Sequence, residues 1–221
     1  EDATYKISIQ PSWEKRALYA SLNYEIKVSG GAITSVKNIA HSSTLTKNGS
    51  RYEFTMAAPG VKGSVLEPGT SSVKVPNIQV LPIDSNGKEL WQFSTNTDSN
   101  GNFGLTLPPG NYNLVARIWA NTGVWANSEK MPIVVNDVGA ATGEISLRLR
   151  TPNLTGTIVK PGTTDPLPFV NVNVYANGEY FYTWTGSDGK FGGYIENTIS
   201  NPCSNCQIYL STSESNEYTP K

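Results

Sequence analysis

Residues Val61 to Thr70 read V-K-G-S-V-L-E-P-G-T, and residues Leu154 to Thr163 read L-T-G-T-I-V-K-P-G-T. The two stretches align Gly63 with Gly156 and end on the same P-G-T tripeptide. Each has the form of a short strand followed by a Pro-Gly turn. Because internal self-similarity marks a duplicated structural unit, the sequence predicts two copies of one module.

The similarity continues beyond these opening strands. Each copy next has a proline and an alternating strand, P-N-I-Q-V-L from Pro76 and P-F-V-N-V-N-V-Y from Pro168. Each then has an acidic glycine turn followed by an aromatic residue, D-S-N-G-N-F-G from Asp98 and S-D-G-K-F-G from Ser187. Three landmarks in the same order over roughly 60 residues indicate a repeat rather than chance.

Alternating apolar and polar residues predict strands along the whole chain. The runs are bounded by Gly, Pro, Asn or Asp, and they are Tyr5–Ile9, Leu22–Val28, Tyr52–Met56, Ile78–Ile83, Tyr112–Trp119, Ile145–Arg150 and Val170–Tyr175. Helical periodicity is nearly absent, and the one candidate, Ser12–Ala20, is interpreted as strand or irregular. Many short strands between frequent turns predict an all-β protein built of small sandwiches.

These landmarks resemble the carboxypeptidase regulatory-like domains, close kin of the Cna B-type modules. The matching elements are the opening strand with T-G-T, the strand after proline, the acidic turn before Phe103, and L-P-P-G-N-Y from Leu107. The resemblance covers about 61–150 and 153–221, and it implies transthyretin-like (prealbumin-like, Ig-like) β-sandwiches, strung in tandem in secreted and cell-surface bacterial proteins. In the second copy L-P-P-G-x-Y is missing after Phe191, which leaves its later strands undefined.

Three modules follow from the repeat: a β-rich module at 1–59, a first carboxypeptidase regulatory-like sandwich at 60–151 and a second at 152–221. The first module lacks the landmarks and is either divergent or truncated. Proline restricts its own φ and its predecessor, so the short proline-bearing joints predict a rod-like array of modules. The chain begins at Glu1 without Met, and we expect a mature or excised piece of a longer polypeptide.

Charge and hydropathy limit the classes of partner that we expect for this chain. The 17 Lys and Arg residues nearly balance the 18 Asp and Glu residues, and no long run of one sign occurs. Nucleic-acid binding needs a clustered basic field, so we expect no nucleic-acid partner. No window approaches the ~20 apolar residues of a membrane helix, and we expect no membrane insertion.

The cysteines and the histidine give no sign of catalysis. Cys203 and Cys206 form a C-x-x-C pair without a second pair or nearby histidines, and they interrupt a β pattern. We predict a local disulfide there, with two free thiols as the alternative. His41 lies in a polar run without a nucleophile motif. We therefore expect no enzyme and no cofactor.

The loop from Asp98 raises the question of calcium. Asp98, Asn100 and Asn102 place oxygen ligands at alternate positions. In an EF-hand, however, glycine stands sixth and glutamate twelfth, whereas here glycine stands fourth and Pro109 twelfth. A plain hairpin turn and a calcium loop are the two interpretations, and the second copy, which loses the alternating oxygens, favours the turn.

Aromatic residues are the other candidate for binding. Trp125, Trp184 and Tyr182 are the candidates for ligand or inter-module contacts, whereas Trp119 is expected in the core. The predicted function is a structural or adhesive stalk of an extracellular bacterial surface or secreted protein, which spaces or presents neighbouring domains. A carbohydrate-binding accessory module is the alternative, and cell-wall or host glycans or proteins are the expected partners.

Overall fold

The computed structural model describes residues 2–40, 43–119, 124–176, 179–196 and 207–212. They form two compact units. The first comprises Glu1–Leu66, Thr70–Ala116 and Lys130–Arg148, and the second comprises Glu67–Gly69, Arg117–Glu129 and Leu149–Lys221.

The first unit opens with a small antiparallel sheet. Its three strands follow one another in the order β1 Ala3–Ile9, β2 Leu22–Ser29 and β3 Ala32–Asn38. A two-stranded hairpin follows, β4 Lys47–Asn48 with β5 Arg51–Tyr52. The buried side chains of this sheet are Leu22, Tyr24 and Val36.

One expectation for this segment needs correction. The alternating run Tyr52–Met56 ends as a strand at Tyr52, because Phe54 and Met56 pack against the core cluster of the sheet without joining a ladder. In the run after Tyr52, alternation therefore reflects packing rather than strand pairing. Within Ser12–Ala20, residues Trp13–Lys15 form one 3-10 turn and the other residues are irregular, in agreement with the second of the two predicted alternatives.

Seven strands build the larger part of the first unit. They are β6 Val61–Leu66, β7 Gln79–Asp84, β8 Thr95–Asn96, β9 Asn102–Leu105, β10 Gly110–Arg117, β11 Met131–Val135 and β12 Ile145–Arg148. One sheet has the order β11-β10-β7-β8 and the other the order β12-β6-β9, with β12 parallel to β6. A short 3-10 helix, Trp91–Phe93, precedes β8.

The core of this part comes from both sheets. The fully buried apolar side chains come from strands of both sheets and include Val61, Val65, Val80, Phe103, Leu105, Leu114 and Leu147. Two sheets whose inner faces share one core make a β-sandwich. The N-terminal segment is attached to this sandwich through the indole N–H of Trp13, which donates to the carbonyl of Thr97 at 3.0 Å.

The second unit repeats the pattern with fewer strands. They are β13 Leu154–Thr157, β14 Val170–Ala176, β15 Glu179–Trp184, β16 Lys190–Gly193 and β17 Gln207–Thr212. β13 pairs with β16, and the other sheet has the order β15-β14-β17. Its buried apolar cluster consists of Val172, Val174, Ala176, Phe191 and Ile195.

The two copies share their internal anchors, as the repeat predicts. A Cβ at Gly63 would lie 2.7 Å from Cζ of Phe103, and one at Gly156 would lie 2.6 Å from Cζ of Phe191. In each copy a phenyl ring therefore occupies the space that the glycine leaves free. β17 pairs with β14 as β10 pairs with β7, so β17 is the strand that the sequence left undefined.

The protein is an all-β sandwich protein, as predicted. In the part of the chain that the structure describes, the helical residues are the two short 3-10 turns. Among those residues, no helix has the length and apolar character needed to cross a membrane.

Candidate functional site

The loop at Asp98 is a hairpin turn in which the acidic side chain has a structural role. Asp98 is buried, and its Oδ1 accepts hydrogen bonds from the backbone N–H groups of Asn100, at 2.8 Å, and Asn102, at 2.9 Å. The Oδ1 of Asn102 accepts a bond from Nζ of Lys74 at 2.7 Å. Two of the three predicted ligand side chains thus bond to the protein itself.

The same loop occurs at two further places in the first unit. Oδ1 of Asp84 accepts from the backbone of Asn86 and Lys88, and Oδ1 of Asn136 accepts from the backbone of Val138 and Ala140. Because an uncharged amide makes the same loop as the two carboxylates, the acidic charge is not required for the turn. Calcium binding at Asp98, Asn100 and Asn102 stays a prediction.

The second copy keeps the turn, but its acidic residue is Asp188, the third residue of the loop, instead of the first. The backbone N–H of Gly189 bonds to the carbonyl of Gly186, as that of Gly101 does to Asp98, and both bonds are 3.0 Å long. Asp188 is solvent-exposed and accepts a hydrogen bond from the backbone N–H of Lys190 at 3.1 Å. That bond lowers the pKa of the Asp188 carboxyl, aided by the side chain of Lys190.

The predictions about metal ions and cysteines can be compared with the structure only in part. Among them, no group of three or more His, Cys, Asp or Glu side chains could hold a metal ion. The predicted disulfide between Cys203 and Cys206 and the surface position of His41 lie outside the described residues.

The predicted aromatic candidates all lie in the second unit. Tyr182 and Trp184 are half-buried on β15, and Trp125 is half-buried in the segment before β11. Trp119 is 38% exposed, so the expectation that it lies in the core is wrong. Its strand, β10, ends at Arg117, two residues before it.

Strand register brings Tyr182 and Trp184 into a larger surface. Directly opposed residues of an antiparallel pair point to the same side of a sheet. β14 is the central strand, and its Asn171, Asn173 and Tyr175 alternate with the buried Val170, Val172, Val174 and Ala176. The nine outward positions of the sheet, here called the aromatic face, are Trp184, Tyr182, Tyr180, Asn171, Asn173, Tyr175, Ser211, Tyr209 and Gln207.

Five rings form a continuous chain along this face and its edge, here called the aromatic belt. In order they are Tyr209, Tyr175, Tyr180, Tyr182 and Trp119, with successive centroids 5.7, 4.8, 6.3 and 5.9 Å apart. The planes of Tyr175 and Tyr180 differ by 38° and those of Tyr180 and Tyr182 by 31°. Neighbouring planes among the three central rings are therefore moderately tilted, whereas the ring of Tyr209 is nearly perpendicular to that of Tyr175, at 86°.

Polar side chains fix the rings of the belt. The hydroxyl of Tyr180 donates to Oδ1 of Asn173 at 2.7 Å, and the hydroxyl of Tyr209 donates to Oε1 of Gln207 at 2.9 Å. The amide of Asn173 donates in turn to Oδ1 of Asn171. Networks of this kind hold side chains in one conformation before any ligand arrives.

The electrostatics of the face are those of a neutral surface. None of the nine described positions carries a charged side chain. A cation lies at the edge, where the guanidinium carbon of Arg117 is 5.9 Å from the ring centroids of both Trp119 and Tyr182. Partial burial, followed by the neighbouring Tyr175 and Tyr182, raises the pKa of the Tyr180 phenol, which keeps it uncharged.

The first copy uses the equivalent positions differently. Ile78 in the first copy and Val170 in the second each donate a backbone hydrogen bond to a buried threonine, which aligns β7 with β14. The positions equivalent to Asn173 and Tyr175 are then Leu81 and Ile83, which are buried together with Val115. One copy thus uses this face for its own packing, whereas the other exposes rings on it.

Tyr175, Asn173 and Tyr209 are among the residues of the face that escaped the sequence interpretation. The signal for the first two was the run V-N-V-N-V-Y from Val170, whose alternation separates a buried valine row from an outward row of polar and aromatic residues. Tyr209 lacked such a signal, because its strand could not be recognised without the L-P-P-G-x-Y landmark.

Comparison with known proteins gives distant similarities. No family model and no curated protein matches the chain. Among solved structures, it is similar to the TIE protein of Bacillus anthracis, at 16% identity over 95% of this chain and 44% of that chain. It is also similar to a streptococcal ancillary pilin, at 13% identity over 77% of this chain and 67% of that chain.

Both similarities have a TM-score of 0.32. The chain spans less than half the length of the first of these two structures. The family expectation therefore stays a prediction.

Proposed function

We propose that the chain is a non-catalytic structural and adhesive region of an extracellular bacterial surface or secreted protein. Its modules are of the carboxypeptidase regulatory-like or Cna B type, and they space or present neighbouring domains. The single observation that supports this proposal is that the two copies preserve the same internal anchors, while the motif that resembled a calcium loop serves as a turn in both.

The shared glycine–phenylalanine contact and hairpin turn support the proposal because of their location in each copy. The glycine under its phenylalanine and the bonded hairpin turn belong to the interior or to the turns of each copy, and the outward residues differ between the copies. Repetition of a framework with changed surfaces is expected when a protein needs spacing units rather than one reaction site. In this structural role, none of the repeated framework residues has to transfer a proton or a chemical group.

Small-angle scattering of the 221-residue chain tests the stalk. A compact globule of this length has a radius of gyration of about 17 Å. A rod-like array gives a clearly larger value and an asymmetric distance distribution with a long tail. A radius near that of the globule, with a symmetric distribution, would exclude the stalk.

The aromatic face favours a second candidate, a carbohydrate-binding accessory module. Sugar-binding modules place aromatic rings as stacking platforms, and the exposed rings of β14, β15 and β17 provide such a platform. A glycan array with the whole chain tests this candidate. A hit that disappears in Trp125→Ala, Trp184→Ala or Tyr182→Ala supports it, and an array without hits rejects it.

A further inference from the structure

We propose that the aromatic face binds a neutral, extended polysaccharide, whose pyranose rings lie along the aromatic belt and cross the strands of the β15-β14-β17 sheet. This inference rests on the carbohydrate-binding candidate above and assigns it a site, its residues and a class of ligand.

The first argument is the exposure of large rings. Tyr175, Tyr180 and Tyr209 are 48%, 51% and 54% exposed, although the first copy buries aliphatic side chains at the positions equivalent to Asn173 and Tyr175. Exposed contiguous aromatic surface contributes little to folding and marks binding sites. Covering these rings removes apolar surface from water, which favours a ligand with an apolar face of its own.

The second argument is the chemistry of the rings and their partners. The face of an aromatic ring carries partial negative charge, which attracts the weakly positive C–H groups of a pyranose face. Around the rings stand hydroxyls and amides, those of Tyr180, Tyr209, Asn173 and Gln207. A hydroxyl that donates one bond still has lone pairs to accept another, so these groups suit a ligand rich in hydroxyls.

The third argument is charge. A single-stranded nucleic acid also stacks on aromatic rings, but it requires a basic groove along its phosphates. The nine described positions of the aromatic face are uncharged, and Arg117 at the edge is already engaged with Trp119 and Tyr182. An acidic glycan would leave most of its charges without partners, so the ligand is neutral.

The fourth argument is shape. Neighbouring planes of the three central rings are tilted by 38° and 31°, and the belt continues to the edge of the sheet at Trp119. A proline-rich peptide requires grooves between rings, whereas a chain of equatorially linked sugars presents flat faces in succession. Rings held by Asn173 and Gln207 lose little conformational entropy on binding, which favours such a flat ligand.

Titration calorimetry with the whole chain tests the site. The probes are β-1,4-linked hexaoses of glucose, xylose and N-acetylglucosamine, with hexagalacturonic acid and a decaproline peptide as counter-probes. The variants are Tyr175→Ala and Tyr209→Ala, and the conservative Tyr209→Phe keeps the ring. Tyr5→Ala on β1 is the matched control, because Tyr5 is equally exposed in the other unit.

We expect at least one neutral hexaose to bind, and both alanine variants to weaken it roughly tenfold or more. Tyr209→Phe, which keeps the ring and loses the hydroxyl, is expected to weaken binding less than Tyr209→Ala, and Tyr5→Ala is expected to leave it unchanged, with the same circular dichroism for every variant. Preferential binding of the acidic hexamer or of decaproline would overturn the inference. So would binding of a hexaose that survives both alanine substitutions.

Two failures are distinguishable. If a hexaose binds but only Trp125→Ala weakens it, the carbohydrate-binding function stands and the site assigned here is wrong. If neither these probes nor a glycan array gives binding, the carbohydrate-binding function itself is wrong.

Discussion

Two threonines hold the same place in the two copies. The hydroxyl of Thr97 donates to the carbonyl of Val75 and accepts from the backbone N–H of Ile78, both at 2.9 Å. The hydroxyl of Thr185 makes the equivalent pair of bonds, also at 2.9 Å. Both side chains are fully buried. Each hydroxyl thus closes the bend before the central strand of its copy, where the backbone would otherwise leave a buried donor and acceptor unpaired.

Replacing this hydroxyl by a methyl group is expected to be costly. Thr97→Val keeps the shape but leaves a buried N–H and a buried carbonyl without their partner, so we expect a loss of about 1–3 kcal/mol of unfolding free energy. Urea denaturation measures it, with Thr97→Ser, which keeps the hydroxyl, as the control. A valine variant as stable as the wild type would contradict the assigned role.

The paired glycines allow a second comparison. At Gly63 a Cβ would overlap the carbonyl oxygen of Ile145 on the neighbouring strand as well as the ring of Phe103. At Gly156 it would meet ring atoms of Phe191, which can rotate away. We therefore expect Gly63→Ala to cost about 3 kcal/mol and Gly156→Ala about 1 kcal/mol. Urea denaturation of the two variants checks the order, and a more severe effect at Gly156 would contradict it.

At the scale of elements, the recurring feature is a five-residue hairpin loop, which occurs at 84–88, 98–102, 136–140 and 186–190. Gly87, Gly101, Gly139 and Gly189 all stand at the same point of it with φ between 70° and 82°. A residue with a Cβ is strained in this region, which explains glycine at the fourth position of each loop. The loop turns the chain tightly while a side-chain or backbone carbonyl satisfies its amides.

The two loops at Asp84 and Asp98 differ in their surroundings, which gives a prediction. A Cβ at Gly87 meets nothing within 4 Å, so Gly87→Ala is expected to cost only the backbone strain of about 1–2 kcal/mol. A Cβ at Gly101 would lie 2.6 Å from Cβ of Lys74 and 2.7 Å from the backbone nitrogen of Val75. Gly101→Ala is therefore expected to be clearly more destabilising in thermal unfolding. Equal melting temperatures for the two variants would show that crowding at Gly101 is relieved.

Elements with alternation and turn residues were predictable from the sequence. The run Val170–Tyr175 became β14, where a buried face imposes period two on the strand. The run Ile78–Ile83 became β7, although that strand is buried on both faces. The run after Tyr52 failed, since side chains such as Phe54 alternate against the core without strand pairing. The aromatic face was predictable only in part, because the sequence singled out Tyr182 and Trp184 alone. Cross-strand register joins them to Tyr175 and Tyr209, and that register depends on residues far apart in the sequence.

At the scale of the whole molecule, stalk and adhesion need not compete. A structural spacer needs no particular side chains at most of its outward positions. The second copy presents rings there while it keeps the glycine–phenylalanine contact and the hairpin turn of the first copy. The division into modules at 1–59, 60–151 and 152–221 and the rod-like array stay predictions, which the scattering experiment above addresses.

Two tyrosines, Tyr112 and Tyr180, determine how the stability of the folded protein changes at alkaline pH. Burial, followed by the nearby Asp84 carboxylate, raises the pKa of Tyr112, whose hydroxyl donates to the carbonyl of Pro108 at 3.0 Å. Burial and neighbouring tyrosines raise the pKa of Tyr180. In both cases the folded state retains a proton that the unfolded chain releases near its ordinary pKa of about 10. The stabilising contribution is therefore complete below about pH 9 and is lost as the pH rises through the raised folded pKa.

Phenylalanine at either position removes the ionisable group and its share of this loss. We expect the urea midpoint of the wild type to fall between about pH 9 and pH 11, and to fall less steeply in Tyr112→Phe and in Tyr180→Phe. Lysine deprotonation occurs in the same range but is common to all three proteins, so the difference in slope isolates the tyrosines. Tyr5→Phe, at an exposed position of β1, is the control for the substitution itself. Parallel curves for all four proteins would mean that neither phenol is held in its neutral form by the fold.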